Sequence, residues 1–277
     1  MILKVKLVLP IELQFGDIAV AAGLPIMEVY AQGATAETKP DGSPVTEADM
    51  LAEALILERL SAQWPDIPVV AEESMAAGQC GASGERFILV DPLDGTKEFI
   101  HRRDEFTVNI ALIEQGRPVA GAIYAPALGK LWIGGPQGAR SCMVTPGASL
   151  PSPSAWVPIK TRPWPGPQAV GVASRSHADA ETDAFLARMN ISERRSRGSS
   201  LKFCLLAKGE ADLYPRFGPT MEWDIAAGHA ILTAAGGCVT DEAGRDFRYG
   251  KRDDAFRNGP FIAWGDPRFA HHALSVE

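Results

Sequence analysis

The thirty residues from Phe106 to Gly135, FTVNIALIEQGRPVAGAIYAPALGKLWIGG, constrain the fold more than any other stretch. Three runs rich in β-branched and aliphatic residues are separated only by turn signals, at Gln115-Gly116 and from Ala127 to Lys130. Loops that short join neighbouring antiparallel strands, so the segment predicts a β-meander without long crossovers. Two further strands are expected before it. IPVVAEE reads as a short buried strand ending in Glu72 and Glu73, and RFILVD as a second, ending in Asp91.

Helical periodicity brackets these strands. From Asp17 to Tyr30 the apolar positions Ile18, Ala21, Ala22, Pro25, Ile26 and Val29 follow helical spacing, with a kink expected at Pro25. From Thr46 to Leu60 a clearer helix is predicted, capped by Thr46 with Asp49 in its first turn. Its apolar residues Leu51, Ala54, Leu55, Ile56, Leu57 and Leu60 spread beyond one stripe, which predicts burial on more than one side. The opening MILKVKLVLPIELQF is broken by Lys4, Lys6, Pro10 and Glu12, too short an apolar run for a membrane span or a secretory signal. A peripheral strand or an upstream extension is expected there. The Pro- and Ser-rich segment from Thr145 to Pro167 reads as a loop or linker, dividing the chain into units at 1–150 and 151–277. Beyond it strands and helices alternate: AVGVAS, HADAETDAFLARM, SLKFCLLAKG, ADLYPRF, then a helix from Trp223 capped by Asp224 and stopped at Gly236-Gly237.

Composition narrows the class of partner. The 277 residues are 46% hydrophobic and 22% charged, enough to bury a large core, with a net charge of −7 and a pI near 5.4. Without a basic excess, broad nucleic-acid binding is not expected. Cys80, Cys142, Cys204 and Cys238 form no C-x-x-C pair, so neither a zinc knuckle nor a redox motif is indicated and reduced thiols of a cytoplasmic protein are the simplest expectation.

The chemistry concentrates where carboxylates end strands. Glu72, Glu73, Asp91, Asp94 and Asp224 could together supply the hard oxygen ligands that Mg²⁺ prefers, sharing the shell with a phosphate. The turn VDPLDGT suits such a site. Pro92 stiffens the bend, the Leu93 carbonyl adds a neutral oxygen, Gly95 allows close approach of a ligand, and Thr96 opens a helix whose free amides favour an anion. Taken alone, D-P-x-D-G is also an ordinary solvent-facing turn, Glu72-Glu73 a charged strand end and Asp224 a plain helix cap.

In combination, Glu-Glu, D-P-L-D-G-T and W-D-x-A-A-G resemble the lithium-sensitive, Mg²⁺-dependent phosphatases of the inositol monophosphatase superfamily, from DGSPVTEAD at Asp41 to WDIAAGHA at Ala230. Longer segments, DPLDGTKEFIHRRDEFTVNIALI, SRSHAD, GSSLKFCLLAKGEADLYPRFGPT and EWDIAAGHA, are similar to its bacterial 3′(2′),5′-bisphosphate nucleotidase branch. That resemblance implies a layered α-β-α-β-α sandwich, with the metal site between an N-terminal α+β unit and a C-terminal α/β unit. It implies removal of the 3′-phosphate of adenosine 3′,5′-bisphosphate, giving AMP and phosphate and clearing a by-product of sulfate assimilation. One Mg²⁺ is implied on Glu72, Asp91 and the Leu93 carbonyl, a second on Asp91, Asp94 and Asp224, and a third, weaker ion near Glu72 and Glu73. Asp49 and Thr96 are implied to orient or deprotonate the attacking water, with Glu72 in the same catalytic group and Gly95 beside the substrate phosphate. Ser199, Ser200 and Lys202 are candidates for the ribose or the 5′-phosphate, as are Arg175, His177 and Arg216; a helix cap or a surface ion pair explains several of them equally well. Ile225 stands where many relatives carry Thr, and His101 where Lys is common, which touches substrate preference rather than metal chemistry. The expected location is cytoplasmic, free or peripheral at the inner membrane, as a monomer or homodimer. An inositol monophosphatase, a fructose-1,6-bisphosphatase and a non-catalytic Mg²⁺- or nucleotide-binding protein on the same fold are the alternatives.

Overall fold

The first helix lies against a sheet that the chain has yet to build. In a computed structural model that describes residues 9–33, 35–39, 42–79, 84–174 and 179–273, α1 (Ile11–Gln32) precedes a ribbon of β1 (Ala36–Thr38) and β2 (Pro44–Thr46), followed by α2 (Glu47–Gln63). Then come β3 (Val69–Ala71), α3 (Glu72–Ala76), β4 (Arg86–Asp94), α4 (Thr96–Ile100), β5 (Thr107–Glu114), β6 (Arg117–Ala125), β7 (Lys130–Gly135), β8 (Gly138–Met143) and β9 (Val157–Ile159). β3 to β9 form one seven-stranded sheet in chain order, antiparallel except where β3 joins β4. The predicted meander is its centre.

The rest of the chain makes a second sheet. β10 (Val170–Ser174), α5 (Ala180–Arg188), β11 (Glu193–Arg197), α6 (Leu201–Ala207), β12 (Leu213–Arg216), β13 (Thr220–Met221), α7 (Glu222–Ala234), β14 (Cys238–Thr240), β15 (Arg257–Asn258), β16 (Phe261–Trp264) and α8 (Pro267–Ala273) follow. Five of these strands pair in the order β11-β10-β12-β16-β14, and β13 with β15 makes a separate ribbon. Three cores hold the layers together. Phe15, Ile18, Ala22 and Ile26 of α1 and Ala52 and Ile56 of α2 pack with Ile110, Ala122 and Leu131 on one face of the large sheet. Its other face, through Ile123 and Trp132, meets Ala226, Ala227 and Ile231 of α7 and Phe203 of α6, which also pack with Tyr214 and Phe261 of the second sheet. Phe185 and Leu186 of α5 and Ala270 of α8 cover that sheet's far side with Leu213, Ile262 and Trp264. The molecule is therefore the expected α-β-α-β-α sandwich.

Glycine sets how closely the middle layer approaches. A Cβ at Gly134 would lie 2.5 Å from the Ile231 Cα, and one at Gly121 would lie 2.9 Å from the Ala227 carbonyl oxygen. The backbone of α7 thus rests directly on β6 and β7, and α7 carries Asp224 in its first turn.

Several expectations need correction. Residues 11–15 belong to α1 rather than to a peripheral strand, because Phe15, Gly16 and Ile18 continue its buried face; residues 1–8 lie outside the described residues. Of the apolar residues expected to be buried on α2, Ile56 and Leu60 are buried and Leu55 and Leu57 pack partly buried against the same core, whereas Leu51 and Ala54 are exposed. The Pro-rich segment contributes β9, an edge strand that tolerates Pro158 because an edge can spare an amide donor. Met221, not Asp224, is the N-cap of α7; Asp224 sits at the third helical position and its Oδ2 accepts the Met221 N–H at 2.8 Å.

Candidate active site

The site starts from a break in a strand. β4 pairs with β5 in register as far as Asp91–Asn109, and the ladder shifts before resuming at Asp94–Thr107. Pro92 has no N–H to offer the ladder, and the chain bulges through Pro92 and Leu93. The Leu93 N–H turns back to Asp91 Oδ1 at 3.0 Å, which leaves the two aspartates flanking one bend. Gly95, with φ of 98°, then takes the left-handed conformation that starts α4. Thr96 Oγ1 lies 3.2 Å from Asp49 Oδ1 and 3.3 Å from the Leu93 carbonyl, and has one hydrogen to give to either. Asp49 itself is held by the capping box of α2, its Oδ2 accepting from the Thr46 N–H at 2.8 Å and the Thr46 hydroxyl at 2.6 Å.

A cleft of about 720 Å³ opens over this bend, lined by Glu72, Asp91, Leu93, Asp94, Gly95 and Thr96 from the first part of the chain. Ser199, Ser200, Lys202, Arg216 and Asp224 line it from the second. Asp49 and Glu73 stand behind the lining and reach it through Thr96 and Lys39. Arg175 and His177 lie outside the described residues.

Electrostatically the floor is overloaded with negative charge. Burial, then the charges of Glu72, Asp94 and Asp224, push the Asp91 carboxyl far above its ordinary range. Burial, then Asp94, does the same to Asp224. Glu72 is raised by burial despite Lys39, and Glu73 by burial to about 7. Lys39 was not singled out from the sequence, yet it is the local counter-charge: its ammonium lies 2.7 Å from both Glu72 Oε1 and Glu73 Oε1 and is buried. Burial opposes its charge, but these two carboxylates hold its pKa above the ordinary lysine value. Glu53 was missed as well. Its carboxylate accepts the Glu73 and Ser74 N–H groups, both at 2.8 Å, and so fixes the first turn of α3.

Among the described residues, no three acid, imidazole or thiol groups are gathered as closely as metal ligands must be. The reason is visible in their present partners. Lys39 draws Glu72 and Glu73 together, Asp94 Oδ2 is taken by serine hydroxyls, and Asp224 Oδ2 by a backbone amide. The donor set nevertheless fits Mg²⁺. Every candidate atom is a hard oxygen, and the buried carboxylates lack the positive charge that a divalent cation supplies.

At the opposite wall Lys202 is buried, 5% exposed, with its ammonium 5.3 Å from the centre of the Tyr214 ring and bonded to the Ser199 and Arg197 carbonyls. Burial lowers its pKa to about 8. Arg216, also buried, donates to the carbonyls of Gly218 at 3.2 Å and Pro219 at 3.3 Å. An acidic floor thus faces a cationic wall across one cleft, so a divalent cation on the floor would leave both sides able to attract negative charge.

Residues 11–267 match the inositol monophosphatase family. The chain belongs to that family. It is 46% identical over 256 residues to the 3′(2′),5′-bisphosphate nucleotidase CysQ of Salmonella typhimurium, a match covering 89% of this chain and 96% of the relative. The CysQ of Escherichia coli strain K12 is 42% identical over 250 residues, with the same coverage of each chain. Among solved structures, CysQ from Bacteroides thetaiotaomicron superposes with a TM-score of 0.76 at 36% identity, covering 91% of this chain and 96% of that one. An IMPase of Thermotoga maritima superposes at 0.73 with 25% identity, covering 94% and 93%. Among the described residues no helix is long and apolar enough to cross a membrane.

Proposed function

We propose that this family member is a Mg²⁺-dependent 3′(2′),5′-bisphosphate nucleotidase that removes the 3′-phosphate of adenosine 3′,5′-bisphosphate, giving AMP and phosphate. The observation that carries this proposal is the pairing, across one cleft, of the carboxylate floor with Lys202 and Arg216, in a chain whose nucleotidase relatives match it nearly end to end. An inositol monophosphate would leave the cationic wall without an anion to bind.

Asp91, Asp94, Asp224, Glu72 and the Leu93 carbonyl would hold two principal Mg²⁺ ions. A third near Glu72 and Glu73 would have to displace the Lys39 ammonium. Bound Mg²⁺ supplies Lewis-acid polarisation of the phosphoryl oxygens and a water of lowered pKa. The chain's own groups do the rest. Thr96, with its hydroxyl hydrogen directed to Asp49, presents a lone pair to the attacking water and lines up its proton for transfer. The Gly95–Thr96 turn seats the scissile phosphate, and Ser199, Ser200, Lys202 and Arg216 orient the ribose and the 5′-phosphate so that the 3′-oxygen is the leaving group. A division near residue 150 into a carboxylate-bearing unit and a unit carrying Asp224 and the nucleotide contacts belongs to the same proposal, as does the link to sulfate assimilation.

The regiochemistry of the product tests it. Chromatographic separation of the products from adenosine 3′,5′-bisphosphate should show AMP with the phosphate retained at the 5′ position. Accumulation of 3′-AMP would overturn the assignment.

A further inference from the structure

Thr107 and Asn109 lie two residues apart on β5 and therefore share one face of the sheet. Both are essentially without exposure, at 0% and 1%. Polar side chains buried that deeply within an apolar strand need partners, and theirs include Ser199 and Ser200 in the second half of the chain as well as Asp94 in the first. Thr107 Oγ1 donates to Asn109 Oδ1 at 2.9 Å; Asn109 Nδ2 donates to Ser200 Oγ at 2.9 Å and to Asp94 Oδ2 at 3.3 Å. Ser199 Oγ lies 2.6 Å from the same Asp94 oxygen and also contacts Thr107 Oγ1. Ser200 Oγ lies 3.0 Å from Asp94 Oδ2 and 2.6 Å from the Asp224 carbonyl oxygen.

Hydrogen counting gives this cluster its meaning. Each serine hydroxyl has one hydrogen and two acceptors within reach. Three donors converge on Asp94 Oδ2, more than the two lone pairs one oxygen offers. A cation taking Asp94 would compete with all of them, yet no serine hydrogen would be stranded: Ser199 can turn to Thr107, whose own hydrogen is committed to Asn109, and Ser200 to the Asp224 carbonyl. With its hydroxyls so held, the Ser199–Ser200 turn stays ordered for an anionic ligand in the cleft that both residues line. Ser199 also has φ of 54°, a left-handed conformation sparsely populated by non-glycine residues and kept where surrounding contacts over-determine it.

We propose that Asn109, together with Thr107, is a positioning residue that couples Asp94 to the Ser199–Ser200 turn, so that a divalent cation and a nucleotide bind cooperatively. This rests on the reading of the cleft as a Mg²⁺-dependent nucleotide site. The experiment is a calorimetric titration of Mg²⁺ into the full chain with and without saturating AMP. The wild-type protein, Thr107→Val, Thr107→Ser and Asn109→Ala are compared, each checked for folding by its thermal transition.

In wild type, AMP should tighten Mg²⁺ binding about fivefold or more, and Mg²⁺ should tighten AMP binding by the same factor. Thr107→Val and Asn109→Ala should bring that factor close to one, whereas Thr107→Ser, which keeps the hydroxyl, should retain it. An undiminished factor in Thr107→Val, its loss in Thr107→Ser, or its absence from wild type would overturn the proposal. If Asn109→Ala does not fold, the two Thr107 variants decide. Phosphate release from adenosine 3′,5′-bisphosphate, followed in parallel, separates the two readings. Coupling without hydrolysis would sink the nucleotidase assignment alone, and hydrolysis without coupling would sink only the role of Asn109.

Discussion

Asp91 concentrates the conflict between folding and function in this protein. Its carboxyl is fully buried and repelled by neighbouring carboxylates, so its folded pKa lies above the ordinary 3.8. An acid with a raised folded pKa binds more protons folded than unfolded, and the metal-free fold therefore loses stability as pH rises above that ordinary value. Asp91→Asn should raise the Tm of the metal-free protein at neutral pH by about 2–4 °C for each kcal/mol of relieved repulsion. It should also abolish the gain from added Mg²⁺ and lower kcat/KM by at least about a hundredfold, more than a ligand-supporting residue costs. Thermal melts in chelator and in Mg²⁺ check this; a variant that still gains stability from Mg²⁺ like wild type would contradict it. Lys202 gives a second prediction. With a pKa of about 8 it is mostly charged at neutral pH and loses its charge above, so kcat/KM for a bisphosphate should fall as pH rises through 8, a profile that reports the free enzyme. Lys202→Ala should chiefly raise KM, by about ten- to a hundredfold for one lost charge-assisted contact, and should remove this limb. A limb that persists in Lys202→Ala would assign it to another group.

The helix α7 is the element on which the site depends. Its backbone lies on Gly121 and Gly134, and a methyl group at Gly134 would have to push Ile231, and with it the helix bearing Asp224, off the sheet. Gly134→Ala should therefore destabilise by about 1–3 kcal/mol, the usual cost of overpacking, and weaken Mg²⁺ binding although it touches no ligand. Urea denaturation with a Mg²⁺ titration checks both; an unchanged denaturation midpoint would show that the helix can shift without cost. At this scale the sequence was readable where local chemistry decides the structure. The meander announced itself through its turns, and α2 through the Thr46–Asp49 cap. Elements fixed by distant contacts were not readable. β11, the run ERRSR, is wholly exposed and exists because its backbone pairs with β10. β9 looked like a linker because its prolines hide an edge strand. Lys39 stands in a polar turn with no period to mark it, and Thr107 and Asn109 sat unnoticed within an apolar strand because their partners Ser199 and Ser200 lie far along the chain. The carboxylates, in contrast, were visible because each lies at the bulge or end of a strand or in the first turn of a helix.

For the whole molecule, two sheets sandwich a helical layer, so that the acidic bend of the first sheet faces the cationic end of the second across one cleft. With a divalent cation held at the acidic bend, as proposed, that arrangement would select for negative charge at both ends of a substrate. The most direct test is phosphate release by the full chain in Mg²⁺, comparing kcat/KM for adenosine 3′,5′-bisphosphate, 3′-AMP and inositol 1-phosphate. One good charge-assisted contact to the distal phosphate contributes about 1.5–3 kcal/mol, a preference of about tenfold to a hundredfold. The bisphosphate should therefore lead the other two by at least about tenfold; equal or faster hydrolysis of inositol 1-phosphate would contradict the account.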